Sequence, residues 1–131
     1  MTEQQSSTWV RDQYQKVAKF LAEKGVIIDS VLLEQSRVLE PLLTVWKVKA
    51  IDGKQYWAIG GDLPSDVAPA SVAEDARAVL KHFSLHWQLK AENLSRAENP
   101  DQTQRDFVNI LISRAEGIYD LAERSDLWQA G

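Results

Sequence analysis

His82 and His86 stand four residues apart in the stretch HFSLH, so on a helix both imidazoles point the same way. Two histidines on one helix face are half of a zinc site. The arrangement that makes such a pair hydrolytic puts a glutamate directly after the first histidine, and here Phe83 stands there. No third ligand is evident. The chain contains no cysteine, so thiol catalysis, disulfides and thiolate metal sites are excluded and no metal is expected. Arg114 offers different chemistry. It falls within an apolar helical stripe, between Leu111 and Ile118, where a guanidinium must pair with a carboxylate, reach for solvent or line a cleft. An anion held there by Arg114, with Asp62 or His86 moving a proton, would make a small-ligand or enzymatic site between the helices and a sheet edge. Gly60-Gly61-Asp62 suggests a backbone nest for an anion. It lacks the glycine spacing and the Lys-Ser/Thr pair of a phosphate loop, so a strand-to-helix turn is the expectation. Arg114, Asp62 and His86 are therefore the candidate binding residues, with no catalytic residue and no cofactor assigned.

The aromatic and charged residues narrow the classes further. Five tryptophans could form a stacking platform, but Trp46, Trp57 and Trp87 fall on apolar faces, which leaves Trp9 and Trp128 near the ends. Lys47, Lys49 and Tyr56 on one sheet face would make a very small nucleic-acid platform. A formal charge of −4 opposes that use, because phosphate binding needs clustered cations. No apolar run approaches the roughly 18 residues of a membrane span. MTEQQSST lacks a basic segment followed by an apolar core, so no secretory signal is expected. The expectation is a cytoplasmic protein that binds neither nucleic acid nor membrane.

The element that organises the chain is a long helix expected from Ser71 to about Arg96. Ser71 and Glu74 fit a capping box at its start. Val72, Ala76, Val79, Leu80, Phe83, Trp87 and Leu94 form one stripe at helical spacing. Ala78, Leu85 and Leu89 fall nearly opposite, so the helix has a second apolar face for another helix of this chain or for another subunit.

Before it, residues 1–7 are expected to be disordered. A first helix is expected from a Thr8 cap to Lys24, with Val10, Tyr14, Val17, Phe20 and Leu21 on one face and Gly25 as its left-handed stop. A strand is expected from about Leu32 to Leu39. LLTVWKVKAIDGKQYWAIGG reads as a hairpin with Asp52-Gly53 as a two-residue turn. Counting from that turn pairs Val48 with Trp57 and Trp46 with Ile59 in the core. It leaves Lys47, Lys49 and Tyr56 on an open face. After the central helix, Asn99 and Pro100 are expected to begin a third helix ending near Arg124. Phe107, Val108, Leu111, Ala115, Ile118, Tyr119 and Ala122 form its apolar face, and Gly117 leaves room for a close neighbour. Ser125 can cap a last turn holding Leu127 and Trp128.

PLLTVWKVKAIDGKQYWAIGGDLPSD, HFSLHWQLKAE and DFVNILISRAEGIYDLAE resemble an uncharacterised bacterial family, a domain of unknown function found mostly in marine gammaproteobacteria. The resemblance implies a cytoplasmic bacterial protein and supplies no catalytic residue.

These features point to one α+β domain over residues 8–131. It comprises an N-terminal helix, a small antiparallel sheet of about three strands and a C-terminal two-helix hairpin packed on one sheet face. The leading functional expectation is a non-enzymatic interaction module that self-associates through Ala78, Leu85 and Leu89. The alternatives are the ligand or enzymatic cleft near Arg114, and an acidic inhibitor or immunity-type protein that meets a basic partner.

Overall fold

The computed structural model describes residues 3–128 and is α+β, with three helices and a five-stranded antiparallel sheet. The chain divides into two compact units with the boundary between Ala76 and Arg77. The expected disordered segment, 1–7, lies partly outside the described residues.

In the first unit, α1 runs Glu3–Glu23. It begins ahead of Thr8, which lies inside the helix rather than capping it. Gly25 takes φ +82 and stops it, as a residue without Cβ can at no steric cost.

The sheet has five strands where about three are expected. They are β1 (Ile28–Val31), β2 (Arg37–Leu39), β3 (Leu43–Ala50), β4 (Gln55–Gly61) and β5 (Asp66–Pro69). Their order is β1-β3-β4-β5, with β2 also beside β3. Of the strand expected at Leu32–Leu39 only β2 forms; Leu33–Gln35 is a 3-10 turn, and β1 lies upstream on the same edge of β3. Ser36 explains the interruption. Its hydroxyl accepts from the Lys47 backbone N–H at 2.9 Å and donates to the Leu32 carbonyl at 3.0 Å. A side chain thereby replaces a ladder bond and lets the chain leave the sheet. β5 was missed because prolines 64 and 69 bracket it. As the end of an edge strand, Pro69 needs no ladder N–H.

The hairpin turn holds three residues, not two. Gly53 N–H donates to the Ala50 carbonyl at 2.9 Å, Ala50 N–H to the Lys54 carbonyl at 2.8 Å, and Gly53 takes φ +87. This is a type I turn with a glycine bulge, one residue longer than the predicted loop. Register moves by one: Trp46 opposes Ala58, Val48 opposes Tyr56, and Lys47 opposes Trp57. A one-residue slip changes the face of every partner. Trp46 and Trp57 therefore lie on opposite faces, and both are buried.

On one face Trp46, Val48 and Ala58 form a core with Val17 and Leu21 of α1. The Tyr14 ring meets Trp46 edge-on at 5.6 Å. On the other face Leu43, Val45, Trp57 and Ile59 are buried as well. The expected open face of Lys47, Lys49 and Tyr56 does not exist. Tyr56 packs against the α1 core, and Lys47 lies over the Trp57 ring at 5.3 Å and donates to Gln35 at 2.7 Å. Of the three only Lys49 is exposed.

Gly60 and Gly61 belong to β4 rather than to a turn. A Cβ on Gly60 would stand 2.6 Å from Val17 Cγ2, so the missing side chain is what lets α1 lie on the sheet. Gly61, at φ +138, would meet the Leu42 carbonyl at 2.6 Å.

In the second unit, α2 (Ala76–Ser95) and α3 (Gln102–Glu123) form an antiparallel hairpin. The capping box at Ser71 is not formed; Ser71 sits in a 3-10 turn, Ala70–Val72, and the helix starts five residues later. α3 is capped by Asp101, whose carboxylate accepts from Gln104 N–H at 2.8 Å, and not by Asn99, which turns the chain at φ 52. Ser84, fully buried, donates to the Ala115 carbonyl at 2.7 Å and ties the helices at mid-length. Arg77 donates to the Ala122 carbonyl at 2.6 Å, and Gln104 to the Leu94 carbonyl at 3.2 Å, near the two ends. Val79, Leu80, Phe83 and Trp87 are buried on α2, as are Val108, Leu111, Ala115, Ile118 and Ala122 on α3. Tyr119, expected on that apolar face, is exposed. No atom lies within 4 Å of a Cβ placed on Gly117, so the close neighbour expected there is absent.

Candidate functional site

Helical spacing places Ala78, Leu85 and Leu89 about half a turn from the buried stripe of Val79, Phe83 and Trp87. Ala78 is half-buried, and Leu85 and Leu89 are 58% and 51% exposed. Burying a leucine side chain is worth roughly 1.5–3 kcal/mol. Two such side chains left in water, one turn apart on a rigid helix, form the clearest unpartnered apolar feature of the second unit.

A shallow groove of about 360 Å³ runs beside this stripe. Gln88, Ala91, Glu92 and Ser95 line it from α2, and Ile112 and Glu116 from α3. Tyr119 lies one turn beyond Glu116, on the same stripe of α3 as Ile112, and both are exposed. The hairpin thus leaves Leu85 and Leu89 exposed on α2 and Ile110, Ile112 and Tyr119 exposed on α3. A second depression, about 300 Å³, lies at the turn between the helices against Pro100, Gln104 and Arg105. Its arginine already donates to the Pro100 carbonyl at 2.8 Å.

The charges around the stripe are paired within the hairpin. Lys81 meets Glu123 at 2.8 Å, and this hydrogen bond holds the Glu123 carboxyl below the usual range. Arg96 meets Glu92 at 2.6 Å on the preceding turn. Arg124 beside Asp126 likewise lowers that carboxyl.

The three candidate binding residues fall on separate elements. Asp62 follows β4 in the first unit, where its N–H donates to the Leu42 carbonyl at 3.4 Å. His86 is exposed on α2, and Arg114 is half-buried on α3. Neither groove is lined by His86 or Arg114. The His82 and His86 rings lie parallel at 6.2 Å, and among the described residues no group of three His, Asp or Glu side chains could hold a metal ion. Trp128, expected to be available at the chain end, donates its indole N–H to the Leu121 carbonyl at 3.0 Å. Sequence reasoning did not single out Ile112, which could have been found as an apolar residue off the main stripe of α3, and it placed Tyr119 on the buried face, at whose border it lies exposed.

No helix among the described residues is long and apolar enough to cross a membrane. No curated protein and no solved structure matches the chain. A family model does match, over residues 3–128, and the chain belongs to that family, described as a domain of unknown function, DUF4826.

Proposed function

We propose that this protein is a non-enzymatic interaction module of the bacterial cytoplasm that self-associates through the outer face of α2. One observation carries the reading: Leu85 and Leu89 are more than half exposed on a helix whose opposite side is fully buried. Side chains that serve the fold are already satisfied on that opposite side. These two leucines leave about half of their surface in water, and they match what the core of a modest interface requires.

The test is solution mass by light scattering at two protein concentrations, for wild type and Leu85→Glu. The expected result is a wild-type dimer that becomes a folded monomer on substitution. Because Leu85 is exposed, the variant should unfold within about 0.5 kcal/mol of wild type. A wild-type monomer at both concentrations overturns the reading.

A further inference from the structure

The exposed stripe of α2 extends beyond its leucines. Ala78, His82, Leu85, Leu89 and Glu92 follow one another along α2 in alternating steps of four and three residues, and Arg96 lies just past the helix end at Ser95. That is the spacing of a seam between two paired helices. The two leucines sit at its centre, flanked by His82 and Glu92. His82 is half-buried, and Glu92 and Arg96 are exposed.

The order of residues along this seam makes it self-complementary in one direction only. About a two-fold axis at the level of Trp87, Leu85 opposes Leu89 of a second copy and His82 opposes Glu92. Each contact occurs twice, as an isologous interface requires. The imidazole N–H of His82 can donate to a carboxylate, and Glu92 uses Oε1 for Arg96, leaving Oε2 to accept. A parallel pairing would instead set Glu92 against Glu92, which repels.

Two leucines on one helix fall short of the roughly 1,000 Å² of a specific interface. α3 adds exposed apolar side chains, Ile112 in the wall of the groove and Tyr119 two turns on. Hairpin on hairpin then gives a four-helix arrangement with these apolar side chains inside.

We propose that the partner of the α2 face is a second copy of this chain, docked antiparallel so that Leu85 meets Leu89 and His82 meets Glu92 across the two-fold axis. This rests on the self-association reading above and adds its direction and register.

The absence of cysteine makes a direct test available. Leu85→Cys and Leu89→Cys chains carrying different affinity tags are mixed, equilibrated and oxidised, and the disulfide-linked species are counted. In the antiparallel pairing, like positions are offset by about 6 Å along the helix axis, whereas unlike positions are level. The expected result is a dominant link between the two different variants. A dominance of like-with-like links, or a statistical mixture, overturns the antiparallel pairing while leaving self-association standing. A monomeric mass at millimolar concentration with no links overturns both.

A charge swap tests the register independently. Glu92→Lys should weaken dimerisation about tenfold or more. Combining it with His82→Glu should restore most of that loss. A double variant no better than the single one overturns the His82–Glu92 contact.

Discussion

Replacing Gly60 by alanine tests how the first unit is assembled. The Gly60 backbone is not in the left-handed region, so alanine is conformationally allowed there. Its Cβ would nevertheless stand 2.6 Å from Val17 Cγ2, while its next neighbours, Thr44 Oγ1 at 3.5 Å and the Gln13 carbonyl at 3.8 Å, are ordinary contacts. Val17 alone must give way, and it is buried in the core that joins α1 to the sheet. Overpacking of this kind costs about 1–3 kcal/mol. Against it stands the reduced freedom of the unfolded chain, worth about 0.4–1 kcal/mol in favour of alanine. The expected net effect is a loss of roughly 0.5–2 kcal/mol.

Val17→Ala alone should cost about 1.5–2.5 kcal/mol through lost burial and an unfilled space. In that background the clash is gone, and Gly60→Ala should become neutral or stabilising by up to about 1 kcal/mol. The assay is urea unfolding followed by tryptophan fluorescence, since Trp46 and Trp57 are buried around the contact. A double-mutant cycle then gives the coupling. If Gly60→Ala costs the same with and without the Val17 methyls, the close approach of α1 is not what the glycine serves.

Three further outcomes follow from other contacts. Gly61→Ala should destabilise more than Gly60→Ala, by about 2 kcal/mol or more, because φ +138 is unfavourable for any side chain and the obstacle is the Leu42 backbone carbonyl; equal effects in urea unfolding would refute this. Ser84→Ala should cost about 1 kcal/mol, since a fully buried hydroxyl no longer donates to Ala115; an unchanged midpoint would refute the tie between the helices. Glu123 has its carboxyl lowered in the folded state by Lys81, so its contribution is present above the unfolded value and is lost as pH falls through the folded one. Glu123→Gln should therefore lower the melting temperature slightly at pH 7 and have no effect near pH 3, and a difference that grows toward low pH would contradict the assignment.

What the sequence revealed and what it hid separate along a physical line. Side-chain periodicity was legible: most of the buried stripes of α2 and α3 followed from spacing, because burial imposes a repeat on residue type, and so did the separate face of Leu85 and Leu89, though not its exposure. Interactions that satisfy single backbone groups were not. Asp101 rather than Asn99 caps α3, and the choice rests on one 2.8 Å bond to Gln104 that either residue type could have made. Ser36 keeps the first part of the expected Leu32–Leu39 strand out of the sheet by a pair of hydroxyl bonds. The hairpin shows how far one such detail travels. Asp52-Gly53 correctly marks a turn, but the same dipeptide fits a two-residue loop and a three-residue loop with glycine at its end. One added residue moved Trp46 and Trp57 to opposite faces and removed the open face that Lys47, Lys49 and Tyr56 had implied.

The correction also redirects the search for function. With residues buried on both faces of the sheet, the lysines of β3 form no platform for a partner. The outer face of α2 does not depend on that register. Leu85 and Leu89 stand exposed on it whichever way β3 pairs with β4. The antiparallel seam uses the order of residues along α2 and the charge of Glu92, and the link between Leu85→Cys and Leu89→Cys reads its pairing directly.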